Sequence, residues 1–452
     1  MAKTKKHRHR YGKKEFLFNF FSLIIVIGIG LYFGYRSIYY YTKQNEIHNG
    51  NNQNLGDVII NSNRLESKED GLHRDEDGYF FKGNVSNNYV VFANRLFRIV
   101  RVNKDGSIKL ISNDIVSSFM YGDESSYNKS NLRVWLEKTD NKYSGVYYNT
   151  LPNPTNYLVK TTYTEDILEE EKIKDSKKKY SDYITTLSLK DYTLAGGKSS
   201  YLNNGKMYHL LGLSKEKNNL YVEEDGTVSE GDSTTGYGVR VVITLKEKTV
   251  SAYGNGNIDN PYTINLSDSN YINSIVKLGN DYYTVYKEEN GLLRLYKNDY
   301  IKKGNVIVKQ KYSKKINEYT LNDYNNISRY LNNDYFKSLS YNNIIVDTEF
   351  YTGELGEDGE YKYETIYKDK TTCKVGLLNI FDYHQDNNKD FFYMNTSIGD
   401  MQYINNEKGM LEEVEVKEEK PIIPVISINK SILKYGKGTI EDPYVMGWNH
   451  EK

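Results

Sequence analysis

The chain has 452 residues with 60 Lys plus Arg and 60 Asp plus Glu, so its formal net charge is zero and no overall field draws it to nucleic acid. A single cysteine, Cys373, excludes an intrachain disulfide, and the length allows two or three domains. Tyrosine carries the aromatic bulk, 45 residues against 2 tryptophans, and tolerates both burial and water.

Residues 16–35 (FLFNFFSLIIVIGIGLYFGY) are almost unbroken apolar and aromatic. At about 1.5 Å per residue, a helix of that length spans the ~30 Å hydrocarbon core of a bilayer. Lys3, Lys5, Lys6, His7, Arg8, His9, Arg10, Lys13 and Lys14 precede it, whereas only Arg36 and Lys43 follow before position 50. That excess of positive charge keeps residues 1–15 cytoplasmic and places the remainder outside the cell. No A-x-A cleavage pattern follows the run, so an uncleaved membrane anchor is expected rather than a signal peptide. Gly30 and Gly34 have the spacing that lets two membrane helices approach, which makes a homodimer contact one reading. The plainer reading, that glycine is common in membrane helices, is preferred. An extracellular chain without disulfides fits a Gram-positive bacterium better than a eukaryotic secretory route.

Residues 36–87 are expected to form an extracellular spacer and the edge of the first folded module, with an Asn-rich flexible stretch at 42–63. Asp75-Glu76-Asp77-Gly78 lacks the onward ligand spacing of a calcium loop and reads as a hairpin turn. An internal repeat then begins. Residues 96–102 alternate apolar and polar, turn at Asp105-Gly106 and return over 107–111; residues 282–287, Asn290-Gly291 and 292–296 do the same. Asp-Gly and Asn-Gly supply the positive φ of tight hairpins. A short amphipathic helix follows each, at 130–136 and 325–331, with Trp135 and Tyr330 in the same slot. Residues 156–163 parallel 343–350, and 184–192 parallel 375–383. Between these blocks, the charge run 165–179 reads as a solvated helix or loop, and 353–370 as an exposed hairpin. Each copy closes alike, with Val242-Ile243-Thr244-Leu245 and Tyr253-Gly254-Asn255-Gly256 through Pro261-Tyr262 matched by Val425-Ile426-Ser427-Ile428 and Tyr435-Gly436-Lys437-Gly438 through Pro443-Tyr444. The modules are thus placed at 88–264 and 270–447. The expected fold class is α+β, an N-terminal transmembrane helix followed by two tandem β-rich modules with short helices.

The closing blocks resemble a largely uncharacterised family of repeat modules on surface proteins of Gram-positive bacteria, whose copies end in G-V-R-P-V-I-x-L and then G-x-G-T-x-x-x-P-Y. Gly238 to Leu245 carries all of the first pattern but the proline, and the resemblance extends over the ectodomain. The family's W-W-L-R-S strand has lost its tryptophans and arginine in both copies, at 208–214 and 391–397, and the second copy lacks the counterpart of Arg240. The resemblance implies a C-type-lectin-like fold, remotely similar to formylglycine-generating domains; fold alone does not assign function.

No H-E-x-x-H, paired-cysteine motif or phosphate loop is present. His73, His209 and His384 lie in the folded region, and none recurs at its repeat partner. Asp382-Tyr383-His384-Gln385-Asp386 could offer a metal site, against the preferred reading as solvated loop residues, and Cys373 has no base beside it in sequence. No catalytic residue, metal or cofactor is therefore expected. Long loops at 115–127, 193–235 and 384–410 are candidate binding surfaces. In them Tyr121, Tyr127, Tyr201, Tyr208 and Tyr221 are candidates for stacking on sugar or peptide, against the preferred reading as half-buried aromatics. The expected function is non-catalytic ligand binding or adhesion at the cell surface, toward a wall or host polymer or another surface protein. The alternative is a scaffold or sensor ectodomain of a membrane complex. A concave cluster of unpaired polar and aromatic groups in one copy only would locate the site.

Overall fold

The computed structural model describes residues 53–122, 126–169, 172–268, 270–314, 318–354, 363–385, 388–397 and 399–447. The expected membrane segment 16–35, Gly30, Gly34 and the basic head lie outside the described residues. Among the described residues no helix is long and apolar enough to cross a membrane. The structure is β-rich with few helices, 42% strand against 14% helix.

The first half opens with β1 (Gln53–Asn54) and α1 (Leu55–Ser62). Asn54 caps α1, its Oδ1 accepting from the Gly56 N–H at 2.8 Å. Leu55, Val58 and Ile59, spaced three and four apart, are buried. The described part of the expected flexible stretch 42–63 is therefore folded: a short apolar stripe outweighs its polar setting. A hairpin of β2 (Gly71–Asp75) and β3 (Gly78–Lys82) turns through Asp75 to Gly78. Gly78 has φ +132°, and a Cβ there would lie 2.3 Å from the Val102 carbonyl oxygen.

Next come β4 (Tyr89–Phe92), β5 (Arg95–Asn103), β6 (Ile108–Ser112) and β7 (Ser117–Met120), followed by α2 (Asn131–Leu136). Ser130 caps α2. Beyond it lie β8 (Thr161–Glu169), β9 (Lys172–Asp182) and β10 (Ile184–Thr185). The meander β11 (Tyr208–Ser214), β12 (Asn219–Val222) and β13 (Val228–Gly231) precedes β14 (Gly236–Val239), β15 (Val242–Leu245), β16 (Val250–Tyr253) and β17 (Tyr262–Ile264).

The charge run 165–179 is neither helix nor loop: its described residues belong to the long antiparallel hairpin β8–β9. Cross-strand charges such as Glu169 and Lys174 pair on it. Three of its carboxylates are buried and held: Glu165 accepts from the Tyr127 N–H, Asp166 from the Lys190 N–H at 2.8 Å, and Asp182 from Arg133 through both oxygens.

The second half contributes β18 (Ile275–Leu278), β19 (Asp281–Glu289), β20 (Leu292–Lys297), β21 (Lys302–Lys303), β22 (Val306–Ile307) and β23 (Lys309–Lys311). After the helical stretch 327–338 come β24 (Thr348–Tyr351), β25 (Lys370–Cys373), β26 (Val375–Gly376), β27 (Phe391–Thr396), β28 (Met401–Asn405), β29 (Leu411–Glu415), β30 (Glu419–Pro421) and β31 (Val425–Asn429).

The pairing order β4-β5-β6-β15-β10 of the first half matches β18-β19-β20-β31-β26 of the second. The closing tyrosines dock alike, Tyr262 in parallel register with Val90 and Tyr444 with Val276. In both closing loops the two glycines have positive φ: Gly254 and Gly256, Gly436 and Gly438. The helices differ. Trp135 is buried on α2, but Tyr330 is only half-buried and sits at the start of a π-helical turn, so the two rings do not fill one slot.

The halves are not separate beads. β14 pairs with β29 at Gly236 and Leu411, and one ten-stranded sheet runs β13-β12-β11-β14-β29-β28-β27 with β7, β8 and β9 attached. A Cβ on Gly236 would lie 2.6 Å from the Leu411 Cβ, so the joint needs glycine. In the second half Glu419 stands at the equivalent position, six residues before Val425 as Gly236 is before Val242. Lys311 and Gln310 of β23 replace Met120 and Phe119 of β7 in the matching ladder. A single apolar core spans both halves.

Candidate cleft between the repeats

The seam is held by aromatic groups from both halves. Trp135 donates its Nε1–H to the Phe381 carbonyl at 2.9 Å, and Phe119 meets the Phe381 ring edge-on at 5.8 Å. The Arg95 guanidinium lies 4.8 Å from the Tyr147 ring and 4.5 Å from the Tyr383 ring, one from each half. Its Nη2 donates to the Thr150 carbonyl at 3.1 Å.

Beside this seam lies a cleft of about 530 Å³. One wall comes from the first half, residues 142–150; the other is the face of β19 and β20 with β24 and the turn 377–383. Tyr143 stacks on Tyr367 across the halves at 5.1 Å and 5°, and Tyr351 meets Tyr367 edge-on at 4.8 Å. All three are half-buried, so each keeps some surface toward solvent.

The polar groups converge at the floor. Arg294 lies over Phe350 at 5.4 Å and donates to the Glu349 carbonyl at 2.8 Å. Asp382 accepts from the Asn379 N–H at 2.8 Å. Burial holds the Asp382 carboxyl above its ordinary range, although that N–H and the charges of Arg294 and Lys287 pull the other way. No ion pair joins Arg294 to Asp382. The buried Tyr286 hydroxyl lies between Asp382 and Arg294 and interacts with both, short of ideal hydrogen-bond geometry, and the buried Tyr383 hydroxyl faces Asn273 and Arg95 in the same way. At the rim, Lys287 pairs with Glu289 at 2.8 Å, and Lys430 with Glu288 at 3.0 Å.

The matching place in the first half is closed. Lys109 faces Thr244 across its ladder as Arg294 faces Ser427, and Asp191-Tyr192 aligns with Asp382-Tyr383. There Lys109 and Asp191 form an ion pair at 2.9 Å. Burial works against the Asp191 carboxylate, but Lys109 and Ser188 outweigh it and hold its pKa below the ordinary range. This aspartate sits in the first turn of a helix, Leu189–Leu194, capped by Ser188.

The five tyrosines singled out in the sequence do not form a site. Tyr121, Tyr127, Tyr201 and Tyr208 are buried in the core and have no face to offer a ligand. The Tyr201 hydroxyl donates to the Ile99 carbonyl and the Tyr208 hydroxyl to the Leu202 carbonyl. Tyr221 is half-buried, stacked on Tyr237 at 4.0 Å. The loops carrying them contain strands β11 to β13. Tyr143, Tyr367, Arg294 and Asp382 were missed; the departure of Asp382 from its repeat partner's surroundings has no trace in the aligned residues.

Nucleophile chemistry is poorly served. Burial pushes the Cys373 thiol up to about 12, and its Sγ–H donates to the Val375 carbonyl. Burial lowers His209 to about 4, with its Nε2 bonded to the Phe119 carbonyl at 3.0 Å. Among the described residues no group of three or more His, Cys, Asp or Glu could hold a metal ion. Aromatic edges over a floor of carboxylate, guanidinium and hydroxyl groups suit a small ligand with both apolar and hydroxylated surface. Comparison with protein-family models, curated proteins and solved structures found no match to the chain.

Proposed function

We infer that this is a membrane-anchored bacterial surface protein that holds a saccharide in the cleft between its repeats, without catalysis. The observation that carries this reading is the open cluster of Arg294, Asp382 and the Tyr286 hydroxyl on the cleft of the second half, where the first half has a closed ion pair. A sugar ring would pack against the solvent-facing edges of Tyr143, Tyr351 and Tyr367 and direct its hydroxyls to Asp382, Arg294 and Tyr286. The apolar run 16–35 supports the anchor, and the closing motifs support a C-type-lectin-like assignment for each repeat.

The test is binding of the full chain, kept in detergent micelles, to arrays of glycans and peptidoglycan fragments. Tyr367→Ala is expected to weaken the best hit about ten-fold, the loss of one aromatic contact. Asp382→Asn is expected to weaken it further with folding intact. Absence of any saccharide hit, or a hit indifferent to both substitutions, refutes the reading.

A further inference from the structure

The second half carries a feature the first lacks. Residues 115–116 suffice to join Asn113-Asp114 to β7, whereas 300–308 lie between Asn298-Asp299 and β23. The added residues form the hairpin β21–β22, with Gly304 at φ +63° in its turn. Its outer strand points two β-branched side chains at water: Val306 is 71% exposed and Ile307 39%. From 300 to 314 there are lysines at 302, 303, 309, 311 and 314 and no acidic residue, in a chain whose net charge is zero.

The patch extends beyond the hairpin. Two shallow hollows meet at Tyr330 and Asp334; one is lined by Lys302, Lys303, Ile440 and the ion-paired Asp281 and Asp299, the other by Lys311, Lys314, Arg329 and Lys337 with Glu419. Tyr324, 78% exposed, carries Arg329 over its ring at 3.6 Å, and Ile440 is 57% exposed. Lys302 is paired with Asp299, but Lys303, Lys311 and Lys337 form no ion pair among the described residues. Exposed apolar residues of this size, grouped with unpaired cations, mark an interaction face.

We propose that this face docks on an anionic lipid bilayer surface, with the β21–β22 tip entering the headgroup region. Cations alone would suit any polyanion. The bare Val306 and Ile307 gain nothing from a polyanion, whereas the interfacial zone removes their surface from water while the lysines reach lipid phosphates. Tyr324 matches the aromatic preference of that zone. The inference is independent of the saccharide reading, since none of these residues lines the cleft.

The experiment uses the full chain in lipid nanodiscs. Because Cys373 is buried, Val306→Cys gives one reactive thiol for an environment-sensitive fluorophore. Glu216→Cys, on an exposed turn of the first half, is the control. With phosphatidylglycerol and spin-labelled lipid, the probe at 306 is expected to shift to the blue and be quenched, while the probe at 216 is not; with phosphatidylcholine alone neither responds. Lys302→Glu with Lys303→Glu is expected to lower the docked-to-free ratio about 25-fold, five-fold for each lysine lost. Equal quenching at 306 and 216 overturns the proposal. So does a probe at 306 that responds to dextran sulfate and not to phosphatidylglycerol discs, because the face would then serve a soluble polyanion.

Discussion

Lys109 and Asp191 meet at 2.9 Å in the first repeat, while Arg294 and Asp382, in the same places of the second, face a cleft. Around the first pair the chain folds inward: the helix Leu189–Leu194 carries the aspartate in its first turn, and the β2–β3 hairpin lies along β5. Around the second pair the covering element is supplied by the other repeat, residues 142–150, and it stands off. One architecture thus yields a structural ion pair in one copy and an open cleft in the other. What decides between them is whether the lid is local or borrowed.

That contrast can be broken most forcefully at the seam. Trp135→Ala removes the largest buried side chain and its bond to Phe381, and is expected to destabilise the protein by about 3–5 kcal/mol. Denaturant melts followed by tyrosine fluorescence and by far-UV circular dichroism should still coincide. Two separated transitions in the wild type would show that the repeats fold independently.

Glu137 tests the first repeat's support of that seam helix. Its carboxylate accepts from the Tyr183 and Ile184 N–H groups at 2.9 and 3.1 Å, and burial, reinforced by the Asp182 charge, pushes it up to about 7. The folded pKa lies above the unfolded one, so the protein binds the extra proton when folded. Stability from this group is full below about pH 4.5 and is lost as pH rises through 7, by roughly 3 kcal/mol. Glu137→Gln keeps an acceptor for both N–H groups, and should flatten that slope in thermal melts between pH 5 and 8.

The two aspartates give the sharpest comparison. Asp191→Asn leaves Lys109 without its partner in a largely buried setting and should cost about 3 kcal/mol. Asp382→Asn retains an acceptor for the Asn379 N–H and removes a charge that burial disfavours, so stability should change by less than about 0.5 kcal/mol while saccharide binding falls. Equal stability losses would mean that Asp382 is structural. The smallest expected effect is at Tyr143→Leu, which keeps apolar bulk at the half-exposed rim. It should leave melting unchanged within about 0.5 kcal/mol and weaken binding only through the lost stack on Tyr367.

Features written locally were legible in the sequence. Asn290 and Gly291 adopt the positive φ expected of their hairpin, and the closing glycines do so in both copies. α1 was hidden because eight residues with three apolar contacts look like any polar linker. β8–β9 was hidden because its charges obscure the alternation and three of its carboxylates point inward. The cleft was illegible for a different reason. Trp135 and Phe381 are 246 residues apart, and nothing near either announces the other. Tyr208 and Tyr127 stood in segments that look like loops, but cross-strand pairing and packing carried them into the core.

The strand joint at Gly236 sets the valence of the molecule. A recipient edge of this kind needs a bare backbone, and the second repeat offers Glu419 there, flanked by Lys311. Among the described residues the two repeats therefore make one strand junction of this kind, with the cleft of Arg294 and Asp382 beside the seam. Strong attachment to a polymer would have to arise from many chains side by side, through avidity rather than through multiple sites on one chain.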